Sequence, residues 1–184
     1  MANNVSNVSW GKPKVGGAVW IAPLGTTIPT DATTELDTAF KCLGYCSEDG
    51  LTNGQTLDSD NVKAWGGDVV LNLQTGFEDT FGLTLIETMN TDVLKAMYGD
   101  SNVEGTLAAG ITAKVGSAAK EEHIWVVDMI LRGNVLRRVV IPHGTITETG
   151  EVQYADNAAI GYPITVSAAA DAAGFSHYEY TKAA

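Results

Sequence analysis

Two cysteines, three histidines and a few neighbouring carboxylates are the residues of this chain whose types could do chemistry. Cys42 and Cys46 stand four positions apart. On an extended strand that separation is ~13 Å at ~3.3 Å per residue. A disulfide spans at most ~7 Å between Cα atoms, so both are read as reduced thiols, and no C-x-x-C is present. His123, His143 and His177 fall into no H-x-x-x-H or H-E-x-x-H spacing, and each is read as a structural residue on a strand. Glu78-Asp79 and Glu121-Glu122 are sequence neighbours, which point to opposite faces of a strand, so neither pair can serve one substrate as acid and base. Asp58, Asp60 and Asn61 resemble the opening of a calcium loop. Val62 then occupies the next ligand place, and Lys63 stands where the loop needs Gly. Gly11 to Gly17 lacks the G-K-[ST] ending of a phosphate loop. These patterns imply no catalytic residue, no cofactor and no metal, and the chain is read as a non-enzyme.

The elements that carry these residues are bounded by composition. The chain has 184 residues and is 45% hydrophobic. That is enough to bury a core without disulfides or metals. No apolar run approaches the ~20 residues of a membrane span. The N-terminus has neither a basic start nor an apolar stretch, so no Sec-type signal is visible and folding in a cytoplasm is expected. Net charge is −11, from 22 acidic and 11 basic residues. Such a surface repels nucleic acid, because nucleic-acid binders neutralise phosphates with Lys and Arg. Against that background Arg132, Arg137 and Arg138 are clustered. They are read as contacts for carboxylates of another subunit, with Glu48, Asp49, Asp58 and Asp60 as candidate partners.

Hydrophobic periodicity predicts mostly strands. Residues 1–15 are polar, with Asn-Val-Ser twice, and read as an N-terminal arm; residues 16–184 read as a single domain. Short strands are expected at 17–22, 40–45 and 51–57, with 58–61 as a polar link. Val69, Leu71 and Leu73 share one parity, as do Phe81, Leu83 and Leu85, so two strands joined through 75–79 are predicted as a hairpin. A short helix follows, capped by Asn90 or Thr91 and stopped by Gly99. A weak strand is expected within 105–115. Residues 123–131 are apolar on both parities, which predicts a central strand covered on both faces. Gly133-Asn134 turns it into 135–141, ended by Pro142. Two last pairs are expected, 145–148 with 152–154 and 159–168 with 175–180. About ten strands and one short flanking helix describe a mainly β fold, an antiparallel sandwich or barrel.

Several stretches taken in order then carry a resemblance. They are Ala22-Pro23-Leu24-Gly25-Thr26, Leu43-Gly44-Tyr45, Ser47-Glu48-Asp49-Gly50-Leu51, Lys63-Ala64-Trp65-Gly66-Gly67-Asp68, Leu85-Ile86-Glu87-Thr88 and Leu94-Lys95-Ala96-Met97-Tyr98-Gly99-Asp100. The C-terminal part adds its acidic turns, Gly161-Tyr162 and the closing Tyr-Glu-Tyr. Together they resemble the major tail tube proteins of long-tailed (siphovirus-type) phages, which are similar to the type VI secretion tube protein. The resemblance implies a structural virion protein that forms hexameric rings stacked into a tube. It also implies partners in a tape-measure protein and a tail terminator, passage of double-stranded DNA without specific binding, and a place in the virion tail after synthesis in the host cytoplasm. The polar parity of the 69–85 segment, Asn72, Gln74, Glu78, Thr80 and Thr84, is the expected lumen lining. The alternatives are a type VI-like injection tube protein and a carbohydrate-binding β-sandwich module.

Overall fold

The fold grows around one long hairpin, which the computed structural model resolves within its described residues, 3–183. Strand β8 (Glu122–Leu131) and strand β9 (Val135–Thr149) pair antiparallel from Leu131↔Val135 to Glu122↔Thr145. Gly133 and Asn134 between them take φ of 77° and 62°. Gly and Asn tolerate that left-handed region best. Trp125, Val127, Val139 and Ile141 enter the main core. Ile124, Val126 and Val140 enter a second cluster on the opposite face with Ala22 and Phe40. Burial on both faces is what the two-parity apolar pattern predicted. Pro142, expected to end the strand, does not. It lies in the register shift between His123↔Gly144 and Trp125↔Ile141, where β9 needs no amide from it.

The other strands are β1 (Gly11–Pro13), β2 (Val19–Pro23), β3 (Lys41–Cys42), β4 (Thr52–Lys63), β5 (Val69–Leu85), β10 (Tyr162–Ala169) and β11 (Tyr178–Ala183). They join β8 and β9 in one antiparallel, nine-stranded sheet of order β3-β2-β8-β9-β10-β5-β4, with β1 added to β8 and β11 to β9. The sheet stays open, with β3 and β4 at its ends, and curls around one main core as a sandwich-like body. Phe81, Leu83 and Leu85 of β5 and Ile164 and Val166 of β10 share its main core with the β8–β9 residues. Helix α1 (Thr91–Tyr98) lays Val93, Leu94 and Met97 onto that core. Asn90 Oδ1 caps it, accepting from Asp92 N at 3.0 Å. Gly99 ends it with φ 96°. Strands β6 (Val103–Thr106) and β7 (Gly110–Ala113) form a separate small hairpin where one weak strand was expected.

Four expectations need correction. Residues 75–79 are not a turn but the interior of the 17-residue β5. The turn lies at Ala64–Gly67 instead, closed by Ala64 N donating to Asp68 O at 2.8 Å and by positive φ at Gly66 and Gly67. Asp58 to Asn61, expected as a link, are strand residues of β4. Residues 152–154 form no strand. Strands β10 and β11 do not pair with each other; both pair with β9, on successive halves of one edge.

Candidate assembly interface

The β4–β5 hairpin is the part of the molecule with least cover. Thr52–Lys63 is exposed throughout, and so is β5 from Val69 to Thr75. Only from Asp79 onward does β5 alternate buried and half-buried positions. Strand β10 pairs with β5 at residues 80–85 alone. Beyond that point the ribbon has a free edge on each side, with eight large exposed apolar side chains: Leu57, Val62, Trp65, Val69, Val70, Leu71, Leu73 and Phe77. Trp65 at the tip is fully exposed. A two-stranded ribbon is marginally stable alone, and unpaired edges invite another chain.

Register decides which of its side chains share a face. Gln74 pairs with Ser59 while Gly76 pairs with Asp58, so Thr75 is an extra residue in a bulge, and Val70 is another. The bulge at Thr75 reverses the parity beyond it. Asn72 and Gln74 therefore continue the core-side face of Asn53 and Phe81, whereas Glu78, Thr80 and Thr84 lie on the opposite face. The five residues expected to line one wall are divided between two faces. Leu71, Leu73 and Val62 occupy the far part of the Thr80 face.

Near the body, that face is more extensive than the sequence pattern of β5 alone reveals. Thr52 and Thr56 of β4 register with Gly82 and Glu78. Pro163, Thr165 and Ser167 of β10 register with Thr84, Gly82 and Thr80. Ser167 and Thr165 register in turn with Thr145 and Glu148 of β9. The result is a four-strand threonine- and serine-rich face whose paired positions include Glu78 and Glu148 but no Lys or Arg. Thr165 and Thr145 were missed because their alternation was assigned to separate hairpins.

The three clustered arginines have three different environments. Arg138, offered above as an inter-subunit contact, is buried within its own subunit. Its Nε donates to Asp128 Oδ1 at 2.6 Å and Nη2 to Asp128 Oδ2 at 2.9 Å. Nη1 donates to the carbonyls of Asp31 and Thr34 at 3.1 and 2.7 Å. It is a clasp for the loop that covers the second core cluster. Within that loop, hydrogen bonds from Thr34 and Thr33 hold the Asp31 carboxyl well below the usual range. Arg137 pairs with Glu179 on β11. Arg132 receives the N-terminal arm: its amide donates to Ser9 Oγ at 2.9 Å and its Nη1 to Val5 O at 3.4 Å. Glu48, Asp49, Asp58 and Asp60 are all exposed.

A buried polar cluster fixes the root of the hairpin. Asp79, 1% exposed, accepts from Asn53 Nδ2 at 2.7 Å and from the Ser176 hydroxyl, and it bonds His177 Nδ1. Burial alone raises a carboxyl pKa; here the bonds from Ser176, Asn53 and His177 outweigh it and hold Asp79 below the usual range. His177 also packs edge-on to Phe81, with ring centroids 5.1 Å apart. His143 bonds Glu122 at 2.8 Å. Cys42 and Cys46 are free and half-buried. Burial, aided by Cys42 and Glu87, pushes the Cys46 thiol up to about 11, which disfavours its thiolate at neutral pH.

No group of three or more His, Cys, Asp or Glu is placed to hold a metal among the described residues. No described helix is long and apolar enough to cross a membrane. What the surface offers is a protruding, partly apolar ribbon, free strand edges and a polar face without basic residues, which suits assembly. A family model described as phage tail tube protein matches residues 1–182. No curated protein matches the chain. The match spans nearly the whole chain, over a mainly antiparallel β body with one flanking helix, and the chain belongs to the phage tail tube protein family.

Proposed function

We propose that the chain assembles as hexameric rings that stack into the wall of the tail tube, and that DNA passes through the lumen on its way to the host. The observation that carries this reading is the β4–β5 ribbon, which leaves two strand edges and eight large apolar side chains without partners in the single subunit. Ribbons and edges completed by neighbours make one continuous barrel, which removes the edges. The lumen wall in this reading is the face of Thr80, Thr84, Thr145, Thr165 and Ser167. Duplex DNA carries one charge per ~1.7 Å, and each Lys or Arg contact would add affinity and slow its passage. A neutral to mildly acidic wall lets it slide.

From its anchorage on β8 and Arg132, the N-terminal arm presents its exposed side chains to a neighbouring subunit or ring. Val5, Val8 and Trp10 are exposed along it. Arg137 is already paired with Glu179, so Arg132 is the arginine of the cluster left at the rim for acidic residues of a neighbour, Asp58 and Asp60 among them. A tape-measure protein and a tail terminator are the other tail components expected to meet such a tube. Negative-stain microscopy of the purified protein tests the reading. Hollow tubes or six-fold rings are expected at high concentration, and monomers alone at every concentration contradict it.

A further inference from the structure

The fully exposed Trp65 and one groove at the other end of the same hairpin are complementary surfaces that cannot meet within one subunit. The groove has a volume of about 320 Å³ and is lined by Trp10, Leu51, Phe81, Met129, Leu131 and Val139. It opens between the N-terminal arm, the β4–β5 root and the β8–β9 hairpin. Arg137, Glu179 and Asn53 stand at its polar margin. Its floor is buried, with Phe81 and Val139 at 1% and 2% exposure, while Trp10 at 50% leaves the mouth open.

We propose that the hairpin tip of one copy docks in this groove of a second copy, with the Trp65 indole as its anchor. The inference rests on the tube reading only in that the hairpin reaches a neighbour, and it names where the tip lands. Reach makes the contact intermolecular. Asn53 lines the groove, and Trp65 lies twelve residues further along an extended ribbon, ~40 Å away at ~3.3 Å per residue.

Charge favours the same partner. Residues 58–68 at the tip carry Asp58, Asp60 and Asp68 against Lys63, a net of −3 + 1 = −2. The groove's surroundings carry Lys12, Lys14, Arg132 and Arg137 against Asp128 and Glu179, a net of +4 − 2 = +2. Those four are drawn from only 11 basic residues in the chain, so the patch is concentrated on an otherwise acidic surface. Lys14 is spent on Asp128 at 3.4 Å and Arg137 on Glu179, which leaves Lys12 and Arg132 to meet the tip. Tip and groove are also different surfaces of one chain. Each docking leaves a free tip on one copy and a free groove on the other, and such heterologous contacts propagate into rings or filaments.

The test has two arms. Trp65→Ala removes a side chain that touches nothing in the free subunit, so its thermal midpoint should match the wild type. The critical concentration for polymerisation should rise at least ~10-fold, as for a central aromatic anchor. Polymerisation at the wild-type concentration overturns the anchor. In the second arm a photoreactive benzophenone residue replaces Ala64, and cross-linked peptides are mapped over a range of concentrations. Links to residues 9–11, 51–53 or 129–131 of another copy are expected, and they should weaken at high salt. Tubes whose links map elsewhere overturn the groove while leaving the tube reading intact. Groove links in soluble oligomers without tubes keep the docking and overturn the tube. No intermolecular link at any concentration overturns the docking.

Discussion

The chain contains two long antiparallel hairpins with opposite fates. β8–β9 is buried on both faces and shares its outer edges with β1, β2, β10 and β11. β4–β5 leaves the body after six paired residues of β5 and continues with neither face covered. Both obey the alternation of a strand, so alternation does not separate them. Composition does: β8 is apolar on both parities, whereas β4 reads Thr-Asn-Gly-Gln-Thr-Leu-Asp-Ser-Asp-Asn-Val-Lys. The buried hairpin is completed by its own subunit. The exposed one sets large apolar side chains beside charged ones on uncovered faces, a composition that suits a protein contact.

The contrast can be broken first on the buried side. Arg138→Ala leaves Asp128 buried beside only Lys14 and releases the loop held at Asp31 and Thr34. It should cost about 3–5 kcal/mol in denaturant unfolding. Arg137→Ala, which loses a half-exposed pair with Glu179, should cost no more than ~1 kcal/mol. Equal losses would mean that the two arginines are not divided between core and surface.

The root cluster comes next. Asp79→Ala leaves Ser176 and His177 without their acceptor and Asn53 with only the Thr80 carbonyl, and should cost about 1–3 kcal/mol. The Asp79 carboxyl is depressed in the folded state. Its stabilisation is therefore complete above the ordinary carboxylate value, near ~3.9, and is lost as pH falls below that toward the folded value. Wild-type stability should fall more steeply than that of Asp79→Asn across this acid range. Parallel curves would show that Asp79 contributes no such linkage.

On the exposed side, Leu71→Ser combined with Leu73→Ser should leave subunit stability within ~0.5 kcal/mol and suppress polymerisation. A large drop in the melting temperature of the free subunit would mean that the ribbon already packs against its own body. The smallest effect on fold or assembly is expected from Thr80→Lys with Thr165→Lys. Tubes should form normally, while DNA ejection from virions carrying the variant slows and recovers at high salt. Ejection at the wild-type rate would move the lumen to another face.

How much was legible follows the same division. The central β8–β9 pair, its two-sided burial, the Asn90 cap and the Gly99 stop could be read locally, because each depends on a few neighbouring residues. The β4–β5 boundary could not. Thr75-Gly76 carries turn chemistry, yet a bulge absorbs Thr75 within one strand, and the true turn lies at Ala64–Gly67, within the stretch that follows the expected polar link. That single extra residue also moved Asn72 and Gln74 off the expected wall. Pairing partners far apart in sequence, such as Thr80 with Ser167 or Arg138 with Asp31, leave no local pattern. For that reason the threonine face and the buried role of Arg138 emerge only from the fold.

Hydrogen exchange measured on free subunits and on assembled tubes tests most directly whether the exposed hairpin is completed by another copy. Amides of residues 52–63 and 69–79 should exchange fast in the subunit and become protected in the tube, while those of β8 and β9 stay protected in both. Equally fast exchange of the hairpin in both states would contradict its completion by a second copy.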